Sequence, residues 1–153
     1  MTRFVQMLLS GIFFTFILDF FFFLGIKLNY IDPLAKEVGN FVYFNVLFVD
    51  HQNLPLFLLL SLATGWLITY TKPKIWLLVT AFLFVLSLTM LLPSIGKEVA
   101  QMLFLKQDVT LHSKKFTFKG DIYYIGREKI LFYDKELNKF IQLKKSEIKE
   151  KDL

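Results

Sequence analysis

Asp19 stands inside a long apolar stretch, flanked by Ile17, Leu18 and four consecutive phenylalanines, Phe20 to Phe23. A carboxylate in such a setting costs several kcal/mol unless it is hydrogen-bonded or stays protonated. One chemistry open to it is the relay of a proton or cation, which intramembrane acids often mark. A second is structural, with the carboxyl holding helices or subunits together. A third reading is a shifted helix register that leaves it shallower. A relay needs a chain of ionisable groups, and no other Asp, Glu, Lys, Arg or His lies at comparable depth. The packing role is therefore the favoured expectation.

Residues four apart stack on one face of a helix. Gly11, Thr15 and Asp19 form one such row, and Ser61, Gly65 and Thr69 form another. Small residues at this spacing let helices approach closely, and hydroxyls can bond across the contact. The two rows are expected to meet in one seam. Depth counted from the middle of each stretch, at about 1.5 Å per residue, brings Ser61 nearest to Asp19 on an antiparallel neighbour. It also brings Ser87 and Thr89 to that level on a parallel third helix. Asp19 is thus expected to face the bundle and bond Ser61 or Ser87.

Three apolar stretches would position these residues, at about 4–26, 54–71 and 75–92. Each is near the roughly 20 residues that span a hydrocarbon core of about 30 Å. The chain has 153 residues, 55% of them hydrophobic and concentrated before Pro93, whereas 13 of its 18 Lys+Arg lie from Lys97 onward. Two regions with different solvents follow: a transmembrane domain over 1–96 and a polar tail. The first stretch starts where a signal peptide would, but it exceeds a signal core of roughly 7–15 residues and lacks a small-residue cleavage site. It is expected to be retained. Its phenylalanines suit lipid, or alternatively an aromatic interface with a partner helix.

Between the first two stretches, residues 33–49 are apolar without clean periodicity, and Asp32-Pro33 favours a turn. An interfacial or re-entrant segment is expected there in preference to a fourth span, because Lys36, Glu37, Asn40 and Asn45 interrupt it. Lys72-Pro73-Lys74 joins the second and third stretches. Its two lysines place the turn and the N-terminus in the cytoplasm by the positive-inside rule, and the C-terminal region outside.

After Pro93 a short connecting helix is expected over 97–106, then a small β-domain over 107–148 and a solvated end at 149–153. Strand formers recur at 109–112, 116–118, 122–126, 130–133 and 140–143, with a turn expected at Lys119-Gly120-Asp121 and a hairpin loop at 134–138. Four or five short strands suggest a small barrel or curled sheet. The fold class is thus membrane α plus small β, with three transmembrane helices before a barrel-like domain.

Lys119-Gly120-Asp121 and the run Phe140 to Ile148 resemble the small barrel of small-conductance mechanosensitive channels. Gly120, Asp121, Ser146 and Ile148 match, while Lys144 and Lys145 replace a Pro-Asn pair. The resemblance implies a small barrel behind a third membrane helix. It also implies a Gly/Ala-patterned pore helix, whereas 75–92 contains one Ala and no Gly.

The absence of cysteine removes disulfides, thiolate metal sites and cysteine nucleophiles. His51 and His112 lack ligand-spaced partners, so no metal is expected. No phosphate loop, Ser-His-Asp set or HExxH motif is present, so neither an enzyme nor a cofactor is expected. His51 beside Asp50 is read as a solvated pair in preference to a pH sensor. Lys114, Lys115, Lys119, Lys144 and Lys145 could meet anionic headgroups or nucleic acid. Nine acids interspersed from Glu98 onward favour an ordinary solvated surface, and nucleic acid is not expected.

The expected function is a non-enzymatic accessory or scaffold subunit of a bacterial inner membrane, its β-domain binding a protein partner. The bilayer, and either that partner or a second copy of the chain, are its expected contacts. The alternative is a small channel or ion-handling subunit using Asp19.

Overall fold

A computed structural model of the chain describes residues 2–39, 42–113 and 116–148. The expected solvated end and the pair Lys114-Lys115 lie outside the described residues.

Helix α1 (Thr2–Ile26) passes through a π-helical turn, Lys27–Ile31, into α2 (Asp32–Val38), an unbroken run of 37 residues. The rest of the helical part is α3 (Phe44–His51), α4 (Leu54–Tyr70), α5 (Pro73–Thr89) and α6 (Pro93–Phe104). Proline stands in the first turn of α4, α5 and α6, where its missing N–H is lost at no cost. The breaks fall accordingly. Asn53 accepts the Leu56 N–H at 3.1 Å and starts α4, while Pro93 bars α5 from continuing. Two sharp elbows result, 88° between α3 and α4 and 84° between α5 and α6. Among the described residues, the run Thr2–Val38 is the one helix long and apolar enough to cross a membrane, and up to three spans are available if each bent pair counts as one. Within 33–49 the described residues carry most of α2 and of α3, and the connecting helix starts at Pro93 instead of 97.

The C-terminal part is an antiparallel sheet in the order β1 (Lys106–His112), β2 (Thr117–Ile125), β3 (Lys129–Asp134), β4 (Lys139–Lys144). The expected barrel does not close. A 3₁₀ turn, Lys145–Glu147, follows β4, and one isolated bridge joins Ser113 to Ile148. Each face of the sheet contributes to a core, although the sheet does not close on itself. Leu111, Ile122, Ile130, Phe132 and Ile148 form its own core on one side. Tyr124 joins a second core with Phe23, Ile26, Tyr30, Leu47 and Met90 of the helices, against which Leu131 also packs.

The turn expected at Lys119-Gly120-Asp121 is also overturned, since these residues lie within β2. Glycine serves close approach there: a Cβ on Gly120 would stand 1.9 Å from the Tyr133 carbonyl oxygen. Asp121 Oδ1 accepts the Asp108 N–H at 2.8 Å, and Asp108 has a left-handed φ of 53° where β1 departs from regular register. The hairpin loop after β3 is an Asx-type turn, with Asp134 Oδ1 accepting the N–H groups of Glu136 and Leu137.

Candidate functional site

The polar side chains of the helices gather at two levels. The first is the seam between α1 and α4. A Cβ on Gly11 would lie 1.9 Å from the Ser61 carbonyl oxygen, and one on Gly65 would lie 2.1 Å from that of Met7. The two backbones touch, which only glycine at these positions allows. One turn along, Thr15 Oγ1 lies 3.2 Å from Thr64 Oγ1, and the Thr64 hydroxyl also reaches the Leu60 carbonyl at 2.8 Å. Thr64 was not in either row of the sequence reading, although it sits three residues from Ser61 on the same helical face.

The structure brings Gly11, Thr15, Ser61 and Gly65 together. Thr69 extends the α4 row toward the start of α1, and its buried hydroxyl has no hydrogen-bond partner, as is true of Ser61 Oγ. Asp19 does not bond Ser61 or Ser87. Gly11 meets Ser61 and Met7 meets Gly65, and stepping this antiparallel register two turns onward puts Asp19 level with Asn53. The break before α4 therefore supplies the partner: Gln52 Nε2 donates to Asp19 Oδ2 at 2.6 Å. Ser87 stays close by, donating instead to the Leu18 carbonyl at 2.6 Å. Gln52 Oε1 is buried without a partner. Asp19, half-buried, thus fastens the α3–α4 elbow to α1.

The second level is the foot of the bundle, where the sheet docks. The Met90 carbonyl, at the α5–α6 elbow, accepts from Asn29 Nδ2 at 3.0 Å. It also lies where a Cβ on Gly25 or Gly96 would stand, 2.3 and 2.4 Å away. The neighbouring Tyr30 of the π turn donates to the Tyr123 carbonyl at 2.9 Å, its ring stacked between those of Phe104 and Tyr123. Lys27 and Asp32 pair across the same turn at 2.5 Å. A π-helical turn adds a residue to the helix and redirects side chains, here toward the sheet.

On the other flank, His51 Nε2 sits 3.4 Å from the Tyr124 hydroxyl and packs edge-on to Phe104. Burial pushes the His51 imidazole below its ordinary value, with the Asp50 charge opposing the shift. Burial likewise pushes the Tyr124 hydroxyl up to about 12. Arg127, in the β2–β3 turn, grips both oxygens of Asp50 at 2.6–2.8 Å. That guanidinium holds the Asp50 carboxyl below the usual carboxylate range.

Sequence alone does not single out Gln52, Tyr124 or Arg127. The run Asp50-His51-Gln52-Asn53 was the available signal, since four polar residues before an apolar helix invite pairing with an acid at the same level. Among the described residues, no group of three or more His, Asp or Glu is arranged to hold a metal ion. Most of the polar groups named above bond one another or backbone carbonyls, an arrangement suited to fixing elements in place. Compared with protein families, curated proteins and solved structures, the chain finds no match.

Proposed function

We propose that this chain is a non-enzymatic accessory or scaffold subunit of a bacterial inner membrane, with α1, α4 and α5 as three spans. The observation that carries this reading is an inversion of burial. The buried residues of α4 are Ser61, Thr64 and Gly65, and those of α5 are Thr80 and Ser87. Leu58, Leu59, Leu62, Leu77, Leu78 and Phe82 are exposed. A helix in water does the opposite, whereas in lipid the small and hydroxylated residues make the contacts and the leucines face the solvent. Helices α4 and α5 have 17 residues each, about 25 Å at 1.5 Å per residue, so their elbows sit close to the hydrocarbon boundary.

The Lys72-Pro73-Lys74 turn and Arg3 then face the cytoplasm, and the sheet lies on the outer side. The sheet is the surface for a protein partner: the outer edges of β1 and β4 carry backbone groups that a further strand can pair with. The structural role of Asp19 favours the scaffold over the competing ion-handling subunit, because its carboxyl is engaged by an amide at an elbow.

The test is reporter fusion at the Lys72–Lys74 turn and at the C-terminus, on membranes washed with alkaline carbonate. The chain is expected to resist extraction, with alkaline phosphatase active at the C-terminus and inactive at the turn. Extraction by carbonate overturns membrane insertion, and the reverse reporter pattern overturns the orientation.

A further inference from the structure

A cleft of about 470 Å³ opens between α2, α3 and the sheet. Its walls are apolar, formed by Leu34, Val38, Val42, Val46 and Leu131, and its mouth carries Arg127, Glu128 and Lys129. A second hollow shares those three mouth residues and adds Lys144 and Lys145. The charge there is lopsided. Glu128 is the one acid among the described residues lining either hollow, and Arg127 is engaged by Asp50. Lys129 and Lys144 are exposed and stand directly opposite each other across β3 and β4. Like charges opposed in this way repel, and among the described residues neither makes an ion pair.

An apolar cleft that adjoins a hollow bearing Lys129, Lys144 and Lys145 is complementary to a molecule with an anionic head and an apolar tail. We infer that the cleft and its basic mouth bind an anionic diacyl phospholipid of the surrounding bilayer, with the phosphate between Lys129, Lys144 and Lys145 and part of an acyl chain along α2. The inference rests on the membrane reading above. The wall helix α2 continues the α1 span, so the cleft lies at the foot of the bundle, beside the lipid headgroups. An acidic peptide fits less well, because its backbone N–H and C=O groups would meet an apolar wall that offers them no partners. A volume of this size lies within the range of natural ligand sites, roughly 300–1,000 Å³.

The experiment is native mass spectrometry of the full chain, purified from nanodiscs of equimolar phosphatidylglycerol and phosphatidylcholine, beside the variant Lys129→Gln/Lys144→Gln. Both lysines are exposed, so the fold is retained. The wild type is expected to keep phosphatidylglycerol in preference. The variant is expected to lose that preference by about thirtyfold, the change that two cations near an anionic surface confer. A third sample, Leu131→Gln, probes the apolar wall and is expected to weaken retention with the lysines intact. Equal retention of the two lipids by the wild type, or an unchanged preference in the lysine variant, overturns the inference. Carbonate extraction on the same membranes separates the two levels. A chain that stays embedded yet shows no preference overturns only the lipid site, whereas a chain that is extracted overturns the membrane reading first.

Discussion

Gln52 Nε2 donates to Asp19 Oδ2 at 2.6 Å from the two-residue break between α3 and α4, so the acid inside α1 is bound by an elbow and not by a neighbouring span. Asn at position 19 still offers an oxygen to this donor, while Leu offers nothing. Asp19→Asn is expected to leave the melting temperature in detergent nearly unchanged. Asp19→Leu and Gln52→Leu should each lower stability by about 0.5–2 kcal/mol, the range for hydrogen bonds between membrane helices. Equal losses for Asn and Leu would show that the charge, and not the hydrogen bond, matters at this position.

The seam has no room for a side chain at Gly11 or Gly65, since each added Cβ would fall about 2 Å from a backbone carbonyl oxygen. Gly11→Ala and Gly65→Ala are expected to cost about 1–3 kcal/mol or more, as overpacking does. Thr64→Val removes the hydroxyl pair with Thr15 and the bond to the Leu60 carbonyl without adding bulk, and should cost less, about 0.5–1 kcal/mol. Unfolding titrations in mixed detergent give this ranking directly. An alanine tolerated at both glycines would mean that α1 and α4 do not touch.

Tyr30 ties the π turn to the sheet through the Tyr123 carbonyl. Tyr30→Phe keeps the ring stack with Phe104 but orphans that acceptor, and it is expected to cost about 0.5–1.5 kcal/mol. Hydrogen exchange is expected to rise across β2 and at the end of α6, with α4 and α5 unaffected. Uniform exchange changes would argue against a local tether.

His51 makes docking of the sheet depend on pH. Its folded value lies below the ordinary 6.5 because burial disfavours the cation. The undocked or unfolded state therefore binds the extra proton first as pH falls. Stability is full above about pH 6.5 and declines below it, toward the folded value. The groups facing it are Asp50, whose charge works against the shift, Tyr124 and, through Asp50, Arg127. Limited proteolysis of the α6–β1 connection is expected to accelerate as pH falls below about 6.5, and His51→Gln should flatten the profile. Acceleration only nearer pH 4 would assign the effect to the Asp50–Arg127 pair instead, whose stabilising charge is lost as Asp50 protonates.

The sequence exposed the seam more clearly than its register. Gly11, Thr15, Ser61 and Gly65 stand out because four-residue spacing of small residues has few other uses in an apolar stretch. The partner of Asp19 was hidden because aligning helix midpoints ignores where the chain breaks, and Asn53-Leu54-Pro55 fixes the start of α4. Gly120-Asp121 has the composition of a turn. The close approach of Tyr133 and the irregular residue Asp108 that give the pair its role in β2 are contacts distant in sequence. The same is true of the open sheet: strand formers show that strands exist, but not that one sheet face is taken by Tyr30, Leu47 and Phe104 of the helices. The foot of the bundle is the least legible, since Tyr30, His51 and the stretch from Tyr124 to Arg127 come together from three separate segments.

The central claim is that Asp19 holds helices together and moves no ions. Proton flux into vesicles reconstituted with the full chain, read with an internal pH dye under an imposed potential, tests it most directly. Wild type and Asp19→Asn are both expected to match protein-free vesicles. A flux that the wild type shows and Asp19→Asn abolishes would contradict it.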